Sequence, residues 1–99
     1  HCGRCVPCQI RRASFEAWGR PDPTEYVYDN LAIEDEDHAA FDDVRSVAIA
    51  LLTIEQDGFD RWLGPALGSP LIHNRLELRG MLQRGFAELR KIHERYGLV

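Results

Sequence analysis

Three cysteines packed into seven residues, Cys2, Cys5 and Cys8, constrain this chain more than any other feature of it. An odd number of thiols at such short spacing argues against a disulfide framework, and in a cytosolic chain a cluster of this kind is more often a metal site. Zinc favours thiolates in a tetrahedron, and a structural site takes four protein ligands. A Cys-x2-Cys turn lets two sulfurs reach one ion while its backbone amides are free to bond the sulfurs. Cys8 follows three residues on, where a helix is expected to begin, and a helix N-terminus attracts negative charge. Gly3 and Pro7 suit a backbone folding around an ion, and Arg4 and Arg11 are placed to soften the charge of the thiolates. Reduced cysteines buried as small hydrophobes are the bland alternative. The flanking glycine, arginine and proline weigh against it.

Three thiolates leave a tetrahedral ion one ligand short. The fourth candidates are His1, His38, His73, His93 or a residue absent from the chain. His1 beside Cys2 is geometrically awkward. His38 opens an acidic helix, His73 precedes an N-cap, and His93 suits a helix C-terminus electrostatically. An iron–sulfur run would continue to a fourth cysteine four residues beyond Cys8 and a proline after it, where this chain has Arg12 and then Ala13.

The chain has 99 residues, 44% of them hydrophobic, which is enough for one small domain with a core. It lacks a run of eighteen apolar residues and an apolar leader, so the expectation is a soluble, cytoplasmic protein. Its net charge of −4 hides a strong segregation. Residues 1–21 carry four arginines against Glu16, residues 22–60 carry twelve acids against Arg45, and residues 61–99 carry seven bases against three acids. Attraction between these segments is the default explanation. A nucleic-acid surface is the alternative, and the acidic total speaks against it.

Periodicity predicts an all-α fold: a small helical domain of three main helices with an N-terminal CxxCxxC zinc knuckle. The first helix is expected from Cys8 to Trp18, burying Ile10, Ala13, Ala17 and the pair Phe15/Trp18, and ending at Gly19 before Pro21 and Pro23. Tyr26-Val27-Tyr28 reads as an extended connector whose tyrosines pack on the helices. The second helix is expected over Asp37–Gln56, with Phe41, Val44, Ala48 and Leu51 on its inner face, Val47, Leu52 and Ile54 widening it, and Asp42 and Asp43 pointing outward. Glu34–Asp37 suit its positive end. Gly58 stops it, and Phe59–Leu63 make a turn or two before a loop at 64–70. The last helix starts at Asn74, with Glu77 reaching back as in a capping box. Its stripe is Leu78, Met81/Leu82, Gly85/Phe86, Leu89, Ile92 and Tyr96. Leu78, Leu82, Phe86 and Leu89 are expected to face the second helix, and Gly80 and Gly85 to let a neighbouring helix approach. The organisation expected is a knuckle and first helix at 1–20, a connector at 21–36 and a helical tail at 37–99.

The segment Cys2-Gly3-Arg4-Cys5-Val6-Pro7-Cys8-Gln9-Ile10-Arg11-Arg12 resembles the Cys-Gly-x-Cys-x-x-Cys-x-x-Arg segment near the C-terminus of 7-cyano-7-deazaguanine synthases, the QueC-like proteins. It looks closer still to QatC, the QueC-like component of Qat anti-phage defence systems, in which a longer helical tail follows. The resemblance implies that Cys2, Cys5 and Cys8 match the last three of four cysteine ligands to zinc, the first lying upstream. It also implies a parent with an N-terminal domain that holds ATP in a Ser-Gly-Gly-x-Asp-Ser loop and serves deazapurine chemistry (queuosine biosynthesis) or antiviral defence. This chain has no such loop, and starting at His1 it is expected to be a C-terminal piece of a longer protein.

On this basis the chain is expected to be structural or partner-binding and not catalytic alone. Its partners would be the parent's ATP-using domain and other proteins of a defence complex. Two rivals stand beside this. In one, the region contributes residues to the parent's active site, with Asp22, Asp29 and the acidic stretch holding magnesium, although carboxylates near a helix start are usually caps. In the other, it is a free-standing zinc-binding nucleic-acid module.

Overall fold

The structure, a computed structural model, describes residues 1–32, 38–64 and 73–99, the side chains of residues 38–40 excepted. Its order is α1 (Val6–Trp18), α2 (His38–Asp57), α3 (Phe59–Leu63) and α4 (Arg75–Arg95), with no strand among the described residues. The fold is therefore all-α as the periodicity predicts. Residues 34–37 and most of the expected 64–70 loop lie outside the described residues. No helix of the described residues is long and apolar enough to cross a membrane.

The helix ends follow local chemistry. α1 starts two residues earlier than expected, because Pro7 fits the first turn, where its missing N–H costs nothing. Its first free N–H is taken by another helix: Val6 N donates to the Asp43 carboxylate at 3.0 Å. Asp43 therefore does not simply point outward, as Asp42 does. α1 ends at Gly19 in the left-handed conformation, φ 77°, with its N–H returning to the Phe15 and Glu16 carbonyls. α2 ends before Gly58, as expected. Asn74 occupies the N-cap position of α4, but no side-chain cap bond forms, so the expected capping box is absent.

The core joins Ala13, Leu31, Phe41, Val44, Val47, Leu51, Leu89 and Ile92, with Phe86, Tyr96, Leu98 and Val99 packed at its edge. The inner face of α2 is as expected for Phe41, Val44, Val47 and Leu51, while Leu52 and Ile49 face solvent. α4 meets that face through Leu89 and Phe86; Leu78 and Leu82 are only half-buried. Its principal partner is instead α1. The side of α1 turned inward carries Cys8, Gln9 and Ala13, whereas Ile10 and Trp18 are 50% and 64% exposed. Of the expected apolar positions Ala13 is buried and Phe15 half-buried, while Ile10, Ala17 and Trp18 are exposed, because the inner face is built from small and polar side chains. Small Ala13, 2% exposed, lets α4 come close. The α4 glycines do not serve that purpose: among the described residues nothing lies within 4 Å of where a Cβ at Gly85 would sit.

α3 fastens α4 from the other side. The Trp62 and Phe86 rings meet edge to face at 5.0 Å and 79°, and Phe59 lies 6.3 Å from Phe86. Such pairs are worth about 0.5–1.5 kcal/mol each beyond the area they bury. The charge segregation is used in part as expected: Asp60 pairs with Arg79, and Glu55 with Arg90 at 3.4 Å, joining the acidic middle to the basic last helix.

Candidate metal centre

The N-terminal residues are held by the connector. Val27 N donates to the His1 carbonyl at 3.1 Å and Tyr28 N to the Cys2 carbonyl at 2.9 Å. Arg12, from the middle of α1, donates to the Tyr28 carbonyl and to the Asp29 carbonyl at 2.6 Å, and lies over the Tyr26 ring at 4.1 Å. Gly3 fits into this crossing with φ +95°. A Cβ there would lie 2.6 Å from Arg12 Nη2 and 2.8 Å from Tyr26 Cβ. Only glycine allows both the backbone angle and the approach.

The turn so fixed brings the three thiols together. The Sγ atoms of Cys2, Cys5 and Cys8 all lie within 4.8 Å of one another. Zinc–sulfur bonds of about 2.3 Å in a tetrahedron would set sulfurs about 3.8 Å apart, so each pair has to close by about 1 Å or less. Two amides already point at one sulfur: Arg4 N and Cys5 N lie 3.3 Å and 3.2 Å from Cys2 Sγ. Burial raises the Cys2 thiol, but these two N–H groups and the neighbouring thiols outweigh it and leave its pKa below the ordinary value. For Cys5 the Cys8 amide pulls down, but burial and the two adjacent sulfurs prevail and push it up to about 11. Three thiols so close cannot all ionise without a cation. The donor set, its spacing and the amide bonds fit a soft, thiolate-binding ion, and the cluster can hold a metal.

The arginines expected to soften the site act elsewhere. The Arg4 guanidinium is buried, lying over the Tyr28 and Phe41 rings at 4.3 and 5.4 Å and donating to the Asn30 carbonyl at 3.2 Å. Its service to the sulfur is through its backbone N–H. Arg11 is exposed and donates to Thr24 Oγ1 at 2.6 Å. Among the described residues no histidine or carboxylate joins the three sulfurs; the His38 side chain lies outside the description. Asp22, one of the suggested magnesium ligands, is occupied by the Tyr26 hydroxyl and by Thr24 N at 2.9 Å. Burial raises its carboxyl, but these donors and Arg11 hold it below its usual value. Asp29 is exposed and joins no cluster of ligands among the described residues.

Behind the cysteines lies an arrangement that periodicity does not foreshadow. Gln9 and His93 are both 0% exposed. The Gln9 amide donates to the Arg4 carbonyl at 2.7 Å, and its oxygen lies 2.7 Å from His93 Nε2. Beside it, α1, α2 and α4 frame an open apolar cleft of about 540 Å³, with Val6, Ile10, Val47, Leu82 and Phe86 among its walls.

A comparison with protein-family models finds no match, and no solved structure matches. Among curated proteins the chain is 65% identical over 26 residues to a 7-cyano-7-deazaguanine synthase of Ralstonia pickettii, a match covering 26% of this chain and 12% of that protein. It is 57% identical over 28 residues to the synthase of Methanothrix thermoacetophila, covering 28% and 12%. For the synthase of Sulfolobus acidocaldarius the identity is 54% over 26 residues, covering 26% and 6%. These matches support a QueC-like relationship over about a quarter of the chain, and the chain spans only about an eighth of the length of the first two relatives.

Proposed function

We propose that this chain is the C-terminal, non-catalytic region of a QueC-like protein, in which Cys2, Cys5 and Cys8 hold one structural zinc with a fourth ligand supplied from upstream. The observation that carries this reading is the convergence of three sulfurs within 4.8 Å on a turn whose amides face them. Zinc is the natural choice because its structural sites are closed tetrahedra of thiolate and imidazole. The zinc ties the helical tail to an ATP-using domain of the parent protein, which acts in the cytoplasm on deazapurines or in anti-phage defence of the Qat kind. The tail itself supplies packing and partner contacts. The apolar cleft supports that role, with Val6, Ile10 and Met81 left 39%, 50% and 53% exposed on its walls.

The test is metal analysis of the purified chain beside Cys5→Ser after equilibration with buffered zinc. Wild type retains zinc, with a solvent or buffer molecule as fourth ligand, and Cys5→Ser does not, because two thiolates do not make a tight site. Equal zinc in both would refute the reading.

A further inference from the structure

We propose that Gln9 and His93 are positioning residues of the metal centre, a buried relay through which α4 aims the backbone of the knuckle at its sulfur. The proposal rests on the reading of Cys2, Cys5 and Cys8 as metal ligands. The polarity of the relay is forced. The Gln9 amide nitrogen donates to the Arg4 carbonyl, so the Gln9 oxygen must accept, and His93 donates to it from Nε2–H. His93 Nδ1 then carries the lone pair, and no described group donates to it.

The Arg4 carbonyl belongs to the same peptide unit as the Cys5 N–H. That unit is planar and trans, so its oxygen and its hydrogen point in opposite directions. Gln9 holds the oxygen at 2.7 Å, and the N–H on the far side is the one 3.2 Å from Cys2 Sγ. Rotation of this peptide would withdraw the N–H from the sulfur and leave the buried Gln9 amide without its acceptor. His93, 84 residues away on α4, locks the Gln9 amide against that rotation. Partners of this kind orient metal ligands, and their loss typically weakens metal affinity about 10–100-fold. Coupling is reciprocal, so metal binding tightens the seat of α4 by the same factor.

The experiment is a titration of the 99-residue chain with cobalt(II), whose thiolate absorption bands report coordination geometry, against a competing chelator. The variants are His93→Phe, His93→Gln, the double variant Gln9→Leu with His93→Leu, and Leu89→Ala as a control that loosens α4 without touching the relay. The double variant replaces a buried polar pair by apolar side chains, which keeps the chain folded for the measurement. Roughly tenfold or greater weakening, with shifted bands, is expected for His93→Phe and the double variant. His93→Gln, whose amide can donate to Gln9, restores the wild-type bands, and Leu89→Ala keeps them. Wild-type affinity and bands in a folded double variant would overturn the proposal, as would equal weakening by Leu89→Ala. If wild type takes up no more cobalt than Cys5→Ser, the metal reading itself fails and this proposal falls with it.

Discussion

Replacing Gly3 by alanine separates two costs that usually arrive together. Gly3 and Gly19 both have positive φ, +95° and +77°. At Gly19 nothing lies within 4 Å of the added Cβ, so Gly19→Ala meets only the backbone penalty. That penalty is about 1–2 kcal/mol for an L-residue in the left-handed region. At Gly3 the same methyl would sit 2.6 Å from Arg12 Nη2, 2.8 Å from Tyr26 Cβ, and against the Tyr28 carbonyl oxygen as well. The carbonyl is backbone and cannot swing aside, so the connector has to retreat from residues 1–3. Retreat strains the Val27–His1 and Tyr28–Cys2 hydrogen bonds and the Arg12 contact to Tyr28. Overpacking of this sort adds about 1–3 kcal/mol. The gain from a stiffer unfolded chain is common to both variants and cancels in their difference. Urea unfolding of the metal-free chains should therefore place Gly3→Ala about 1–3 kcal/mol below Gly19→Ala. For a chain of this size that is a melting difference of roughly 4–8 °C per kcal/mol. Equal destabilisation of the two would refute the close crossing of connector and knuckle.

Ile92→Ala, at a position 1% exposed, should cost about 2–5 kcal/mol in the same assay, while Leu76→Ala, 85% exposed, should stay within about 0.5 kcal/mol. Burial holds the His93 imidazole below its ordinary pKa. Below about pH 6.5 the unfolded chain then binds a proton that the native chain refuses, so stability is full above that pH and falls as acid is added. The fall between pH 7.5 and 5.5 in the metal-free chain should be smaller in His93→Gln; an unchanged slope would show that His93 is not buried neutral. With Cys2 lowered and Cys5 pushed up to about 11, iodoacetamide at pH 8 should alkylate Cys2 first in the metal-free chain, as peptide mass spectrometry would reveal.

The features legible in the sequence were those with a local signature. Gly19 and Gly58 punctuate the helices because a chain reversal there favours a residue without a Cβ, and the cysteine spacing is itself a geometric instruction. The inner face of α1 was not legible. Hydropathy weights Ile10 and Trp18, yet the buried residues of the helix are Cys8, Gln9 and Ala13. Nothing near Gln9 announces a partner 84 residues away, and a buried glutamine looks like a surface one until its acceptor is known. Asp43 misled for the same reason, since it caps a helix other than its own. Leu31, 0% exposed at the core, was hidden in a connector with no period to read. A signal was available for the last helix: Leu89 and His93 are four apart on one face, and a histidine on an apolar stripe asks for a buried acceptor.

The reach from Gln9 to His93 also fixes an order of events during synthesis. At about 5–20 residues per second, the 84 residues between them take roughly 4–17 s to add. Throughout that interval the cysteines and α1 exist while the helix that holds Gln9 does not. The thiols are then open to an incoming ion, and Gln9 has only water to accept from. When Ile92 and His93 emerge, α4 closes on Gln9 behind the turn, which on the proposed zinc reading has by then had seconds to take its ion. Arrival of the ion first and the helix second is therefore the route that the chain's own direction of growth favours. On the same reading, a ribosome stalled before residue 89 would hold a knuckle able to bind its ion but not yet locked by His93.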